Sequence, residues 1–259
     1  MPNFQAISKT IHARKRWKHS GNYSFAAHDA IVPLVAQEFP RALTHLPIGF
    51  TKQQKEFVPV AILGLQPGQN LFVDVDGRWI GGYIPADFRS YPFRLAESAD
   101  KQSVLVIDED SGFVNEAYGD AFFDEDGSPT KAVKDVLDFL VSVQTNRVLT
   151  RRICAELEEQ KLIQPWQITV QSDDGEQSLD GLYRIDEAAM NALAADAFEA
   201  LRQAGALPFA YCQLISMQHI QTFGPRTEAH RKAAEQVSMG SELNFELLSD
   251  NGTISFGPR

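Results

Sequence analysis

The chain has 259 residues, a formal net charge of -10 and an apolar share of 44%, enough length and apolar content for one large core or two small ones. The acidity excludes a phosphate-tracking surface over the whole chain, because such a face needs concentrated positive charge, so no nucleic-acid partner is expected. No run reaches the roughly 20 apolar residues of a membrane-spanning helix, and the two cysteines, Cys154 and Cys212, read as free thiols rather than a disulfide framework.

Residues 1–24 form a basic N-terminal segment with no apolar stretch of a secretory signal. A cytoplasmic location follows as the expectation, with signal-independent association with the cell surface as the alternative. Within the segment, His12 to His19 gathers Arg14, Lys15, Arg16 and Lys18 around Trp17. Such a run docks on phosphate or an acidic partner, or lies on the protein's own acidic surface; its terminal position favours the second.

From Phe25 to Phe50 the prolines Pro33, Pro40 and Pro47 break the chain into short helical turns, with Val32, Val35, Phe39 and Leu43 on one apolar face. Val58 to Leu65 reads as a strand. Leu71 to Val75 and Trp79 to Ile84 flank Asp76-Gly77, a pair that favours a hairpin with a tight type I′ turn. Ser103 to Ile107 is the next strand, and Asp108 to Gly112 turns the chain.

Ser128 as N-cap and Pro129 at the first helical position open the longest helical pattern, which carries Val133, Val136, Leu137, Leu140 and Val141 on a core-facing side. The pattern resumes through Val148, Ile153 and Leu157 to about Leu162, as one helix or two, and Pro165 ends it. Glu176 to Leu179 reads as a loop edge, Gly181 to Ile185 as a strand, and Asp186 caps a helix that stops at Gly205. Leu207 to Ser216 reads as a buried strand. Residues 224–259 form a C-terminal extension whose Leu243 to Leu248 and Thr253 to Phe256, joined by Asn251-Gly252, resemble a hairpin. These elements predict an α+β protein: a central antiparallel or mixed sheet from a strand-rich N-terminal half, covered by two or three longer helices from the C-terminal half.

Catalytic patterns are missing. The six histidines and two cysteines show no metal-ligand spacing, the carboxylate clusters adjoin glycines as turns do, and no nucleophile elbow or phosphate-cradling glycine loop occurs. Neither a metal, a cofactor nor a catalytic residue is expected. What remains is a concentration of aromatics and arginine between Arg78 and Phe93, from which Trp79, Arg89 and Tyr91 stand out as candidate ligand- or partner-binding residues. Large flat side chains and directional guanidinium donors make good binding anchors; core packing is the competing use of the same residues.

From about His28 to Phe223 the chain resembles the SapC family of bacterial proteins. The resemblance is carried by VPLVAQEFPRA, HLPIGF, LGLQPGQNLFVDVDGRW, YIPADFRSYPF, FFDEDGSPT and LDGLYRIDE, in that order, and it marks 25–223 as a SapC-like domain. The family takes its name from a component associated with a paracrystalline bacterial surface layer, and relatives are often encoded near outer-membrane receptors and flavin-dependent halogenase-like proteins. The resemblance therefore implies a non-catalytic accessory or binding protein of a surface-layer or nutrient-uptake system, with a protein partner or small ligand. Its rival is an enzyme or cofactor-dependent partner in a modification pathway associated with those halogenase-like proteins. No catalytic residue set comes with the family, and neither the ligand nor the oligomeric state is specified by the chain.

Overall fold

The computed structural model describes residues 3–18, 21–98, 100–172 and 175–249, the side chains of 170–179 and 237–249 excepted. The chain opens with β1 (Phe4–Ala6), a single turn α1 (Lys9–His12) and β2 (Arg16–Trp17). Two 3-10 turns, Ser24–Ala26 and Ala36–Glu38, flank β3 (Ile31–Pro33), and the second runs into α2 (Phe39–Ala42), where Pro40 occupies the first turn that proline tolerates. The expected short turns are present. Two buried polar groups on a later helix hold the second of them: Thr150 Oγ1 accepts from Ala36 N at 2.8 Å and Asn146 Oδ1 accepts from Gln37 N at 3.0 Å.

The long antiparallel pair β4 (Ile48–Gln53) and β5 (Glu56–Ile62) follows. The hairpin expected over Leu71 to Ile84 is reduced to one antiparallel bridge between Val73 and Trp79. Side chains replace the ladder there: Asp74 Oδ1 accepts from both Asp76 N and Arg78 N, and Arg78 pairs with Asp74 and Asp76. Of the two turn residues only Gly77 takes a positive φ, +79°, so the turn is not the type I′ that needs two.

Then come α3 (Ala86–Ser90), β6 (Phe93–Glu97), β7 (Ser103–Asp108), β8 (Val114–Asn115) and β9 (Asp120–Ala121). The single helix α4 (Lys131–Glu159) starts two residues later than its expected cap, with Thr130 Oγ1 accepting from Val133 N. Ser128 and Pro129 belong to the preceding turn, where Asp126 Oδ1 accepts from Ser128 N. After α4 the chain forms β10 (Ile163–Pro165), so Pro165 closes a strand and not the helix. The pair β11 (Ile168–Ser172) and β12 (Gly175–Leu179) makes a hairpin where a loop edge was expected, and β13 (Leu182–Ile185) follows.

Asp186 caps α5 (Glu187–Asn191) through Ala189 N, but the single helix expected up to Gly205 is broken after α5, and α6 (Ala195–Gln203) follows, with Gly205 at φ +72° beyond its end. Leu207 to Ser216, expected as a strand, lies within the helix α7 (Ala206–Ser216). The segment is apolar on every side, which erases the periodicity that separates a buried helix from a buried strand, and Pro208 in the first turn was the helix signal. A 3-10 stretch leads to α8 (Phe223–Ser249), which holds Leu243 to Leu248 in a helix rather than a hairpin strand; Thr253 to Phe256 lies outside the described residues.

The central sheet is antiparallel throughout, in the order β10-β13-β4-β5-β3. Helix α7 lies against it through two buried polar tips as well as apolar contact. Gln213 accepts from Ile185 N and donates to Ile48 O, while Ser216 Oγ accepts from Ile48 N. This core includes Phe39, Phe50, Leu157 and Phe209. A second, smaller core forms between the sheet β1-β7-β6 and the N-terminal half of α4 from Trp17, Phe93, Ile107, Phe122, Val133 and Leu140. Helix α4, about 43 Å long at 1.5 Å per residue, spans both cores.

The basic N-terminal run is folded. His12 is fully buried with Nε2 2.7 Å from Glu109 Oε1, Lys15 pairs with the same carboxylate at 2.6 Å, and Trp17 packs edge-on against Phe93. The run is therefore not the solvated segment its terminal position favoured: Trp17 is part of the second core, and Lys15 rests on Glu109. The core-facing side expected for α4 is narrower than its periodicity implied. Val133 and Leu140 are buried, Val136 and Leu137 are half-buried, Val141 is exposed, and Leu137 belongs to neither core. Leu140→Ala should accordingly cost about 2–5 kcal/mol in denaturant unfolding and Leu137→Ala about 1 kcal/mol or less. Equal losses at the two positions would contradict this placement.

Candidate functional site

The site grows from one buried acid. Glu38 follows Val35 and precedes Phe39 on an apolar face, so its carboxylate enters the interior with the 3-10 turn. There it satisfies three donors: Oε2 accepts from Val35 N at 2.9 Å, and Oε1 accepts from Ala86 N at 2.7 Å and from Tyr83 OH at 2.9 Å. The bond to Ala86 N ties the start of α3 to the 3-10 turn Ala36–Glu38. Burial pushes the Glu38 carboxyl above the ordinary range, and the two amides, Tyr83 and the nearby Arg89 pull it back. Burial and the adjacent Glu38 charge push the Tyr83 phenol up as well, so it stays a neutral donor.

Arg89 is the next link. Its Nη2 donates to Tyr83 OH at 3.3 Å, and its guanidinium carbon lies 5.0 Å from the Phe139 ring centroid and 5.7 Å from that of Tyr83. The planar cation is thus held between two aromatic faces, a geometry worth about 0.5–1 kcal/mol per contact at exposed sites. Among the described residues no carboxylate forms an ion pair with Arg89, and its buried Nε has no hydrogen-bond partner. Its hydrogen-bond path to Glu38 runs through Tyr83, while its charge acts on the Glu38 carboxyl directly.

Beside Arg89 opens a cleft of about 290 Å³, walled by Trp17 from β2, Asp120 from β9, Phe93 from β6, and Val136 and Phe139 from α4. A second cleft, of about 240 Å³, shares Ser90 with the first and contains the Asp87–Arg147 ion pair at 3.3 Å. Burial raises the Asp87 carboxyl, against the pull of Arg147 and Arg94. The two openings lie along the same side of α4, beside the small core.

The three residues singled out from sequence occupy different settings. Trp79 is half-buried and packs against Tyr23, Phe72 and Phe88. Tyr91 stacks on Phe25 with ring centroids 3.9 Å apart and donates to Asp108 Oδ2 at 3.1 Å; burial and that carboxylate push its phenol up to about 12. Arg89 alone of the three lines the cleft. Trp79 and Tyr91 sit at the two ends of an aromatic cluster centred on Phe25 and Phe88, which also meet each other. Among the carboxylate clusters, Asp108 accepts from Asn3 N and Asp110 N, as Asp74 and Asp126 accept from their own loops, while Asp173 and Asp174 lie outside the described residues. Among the described residues no three His, Cys, Asp or Glu side chains converge as a metal site would require, and no helix is long and apolar enough to cross a membrane.

A model of the SapC family matches residues 7–223. The chain belongs to the SapC family. No curated protein and no solved structure matches it. The match begins well before His28, so the SapC-family part of this chain includes β2 and Trp17, one wall of the cleft. It also includes every other residue of the Glu38–Tyr83–Arg89 relay. Glu38, Phe139 and Asp120 were not among the sequence candidates. Glu38 had a local signal, a single acid within an apolar face; Phe139 and Asp120 had none.

Proposed function

We propose that this SapC-family protein is a non-catalytic binding protein, an accessory of a bacterial surface-layer or nutrient-uptake system, which captures a carboxylate group of its ligand or partner with Arg89. The observation that carries this reading is a guanidinium fixed in place by Glu38 and Tyr83, flanked by aromatic faces, and left without a carboxylate at the mouth of a cleft. A charge positioned before binding loses little entropy when it binds, and a planar fork of donors matches a carboxylate better than a point charge does. The cleft is shallow and small against the roughly 300–1,000 Å³ of sites that enclose a ligand, which suits capture more than chemistry.

Affinity capture from the native cell tests the proposal, with wild type and Arg89→Gln as baits. Glutamine keeps a donor for Tyr83, so the variant should lose only about 1 kcal/mol of stability while partner recovery per folded molecule falls at least about tenfold, the equivalent of 1.4 kcal/mol. Undiminished capture by a folded Arg89→Gln protein would remove Arg89 from the binding role.

A further inference from the structure

We infer that the Arg89 cleft takes a compact zwitterion with an apolar body, the chemistry of a free α-amino acid with an apolar side chain. The inference rests on the binding role given to Arg89 above and names the ligand class for that site.

The argument is one of charge complementarity within a single small space. Arg89 and Asp120 line the same cleft, and among the described residues neither has an opposite charge in ion-pair contact. They are not paired with each other. The third charged lining residue, Asp135, is already held by Lys131 at 2.6 Å, so Asp120 is the anion left over. A ligand that offered only a carboxylate would gain Arg89 but meet the field of Asp120 and Asp135. One that offered only an ammonium would gain Asp120 and be repelled by Arg89. A ligand carrying both signs answers both, and charge-assisted hydrogen bonds to each are stronger than neutral ones.

The remaining walls specify the rest of the ligand. Val136 and Phe139, both half-buried, present apolar surface to the cleft, backed from the core by Trp17 and Phe93, which favours a ligand with an apolar or aromatic body over a small polar one. The volume of about 290 Å³ lies at the small end of ligand sites, which begin near 300 Å³, so a single amino acid suits it better than a folded partner's loop.

The experiment uses the full chain, titrated by calorimetry with L-phenylalanine and L-leucine, and with two capped analogues: L-phenylalaninamide, which lacks the carboxylate, and N-acetyl-L-phenylalanine, which lacks the ammonium. At least one free amino acid should bind with one-to-one stoichiometry, and the matching cap should weaken binding about tenfold or more at either end. The variants should cross with the caps. Arg89→Gln should abolish discrimination against the amide while keeping discrimination against the acetyl compound, and Asp120→Asn should do the reverse, with far-UV circular dichroism showing both variants folded.

Equal binding of phenylalanine and its N-acetyl derivative by the wild type would overturn the zwitterion, as would discrimination that survives both substitutions. No binding of either amino acid at concentrations up to about 10 mM, weaker than the usual millimolar limit of weak ligands, would overturn it outright. If amino acids fail to bind but capture from the cell still depends on Arg89, this inference falls and the binding role stands. If capture is also independent of Arg89, both fall.

Discussion

Glu38→Ala should destabilise this protein by about 3–5 kcal/mol, a loss typical of removing one member of a buried polar set. The substitution deletes the acceptor for Val35 N, Ala86 N and Tyr83 OH together. A buried donor left without a partner costs about 1–3 kcal/mol, and relaxation of the turn recovers part of that. Urea unfolding would measure the effect, and a loss under about 1 kcal/mol would mean that water replaces the carboxylate freely. The same residue makes a pH prediction that Glu38→Gln isolates. Because burial holds the folded Glu38 carboxyl above its ordinary value of 4.5, the folded protein binds that proton more tightly than the unfolded chain just above 4.5. The stability Glu38 contributes is then fully present below 4.5 and is lost as pH rises through its folded value. Wild type should gain stability relative to Glu38→Gln as pH falls from neutrality toward 4.5, and a difference that is flat or moves the other way would refute the burial effect.

Phe209→Ala should cost a similar amount, about 3–5 kcal/mol. Phe209 lies on α7, is 3% exposed, stacks on Phe39 with centroids 3.8 Å apart, and approaches Phe50 at 5.9 Å. Truncation therefore opens a cavity between the central sheet, α2 and α7, where Gln213 and Ser216 fix the helix by their bonds to β4 and β13 and limit its collapse. Phe209→Leu keeps most of the volume and should lose less than about 1.5 kcal/mol, apart from the ring contact itself. Denaturant midpoints for the two variants give the comparison directly. Equal losses would show that the site repacks around either side chain.

The parts of this fold that were legible in the sequence are those with local signals. The apolar run of β5, the strand β7, the Asp186 cap and the long period of α4 each depend on residues within a few positions of one another. Helix α7 was misread because an all-apolar segment carries no period. The hairpin at Asp76-Gly77 was misread because Asp74 and Arg78 satisfy backbone and charge locally and leave little for a ladder to do. The pairing of β11 with β12 was missed because Glu176 to Leu179 lacks the apolar alternation that marks a strand. At the site, the concentration of aromatics and arginine held Arg89 and its neighbour Tyr83, whereas the rest of the surroundings come from four separate segments that no spacing rule connects: Glu38, Phe139, Trp17 and Asp120.

The place of β2 between β8 and β9 has a consequence for how the molecule is made. Arg16 pairs with Asn115 on one side and with Ala121 on the other, so β2 leaves the ribosome with neither neighbour yet synthesised. At about 5–20 residues per second the wait is on the order of 10 s, and the closure of so long a loop makes the event late in folding as well. Phe139 and Val136 emerge later still. A nascent chain released before them carries Arg89 with no cleft around it; the cleft is complete only once the chain extends through the first half of α4.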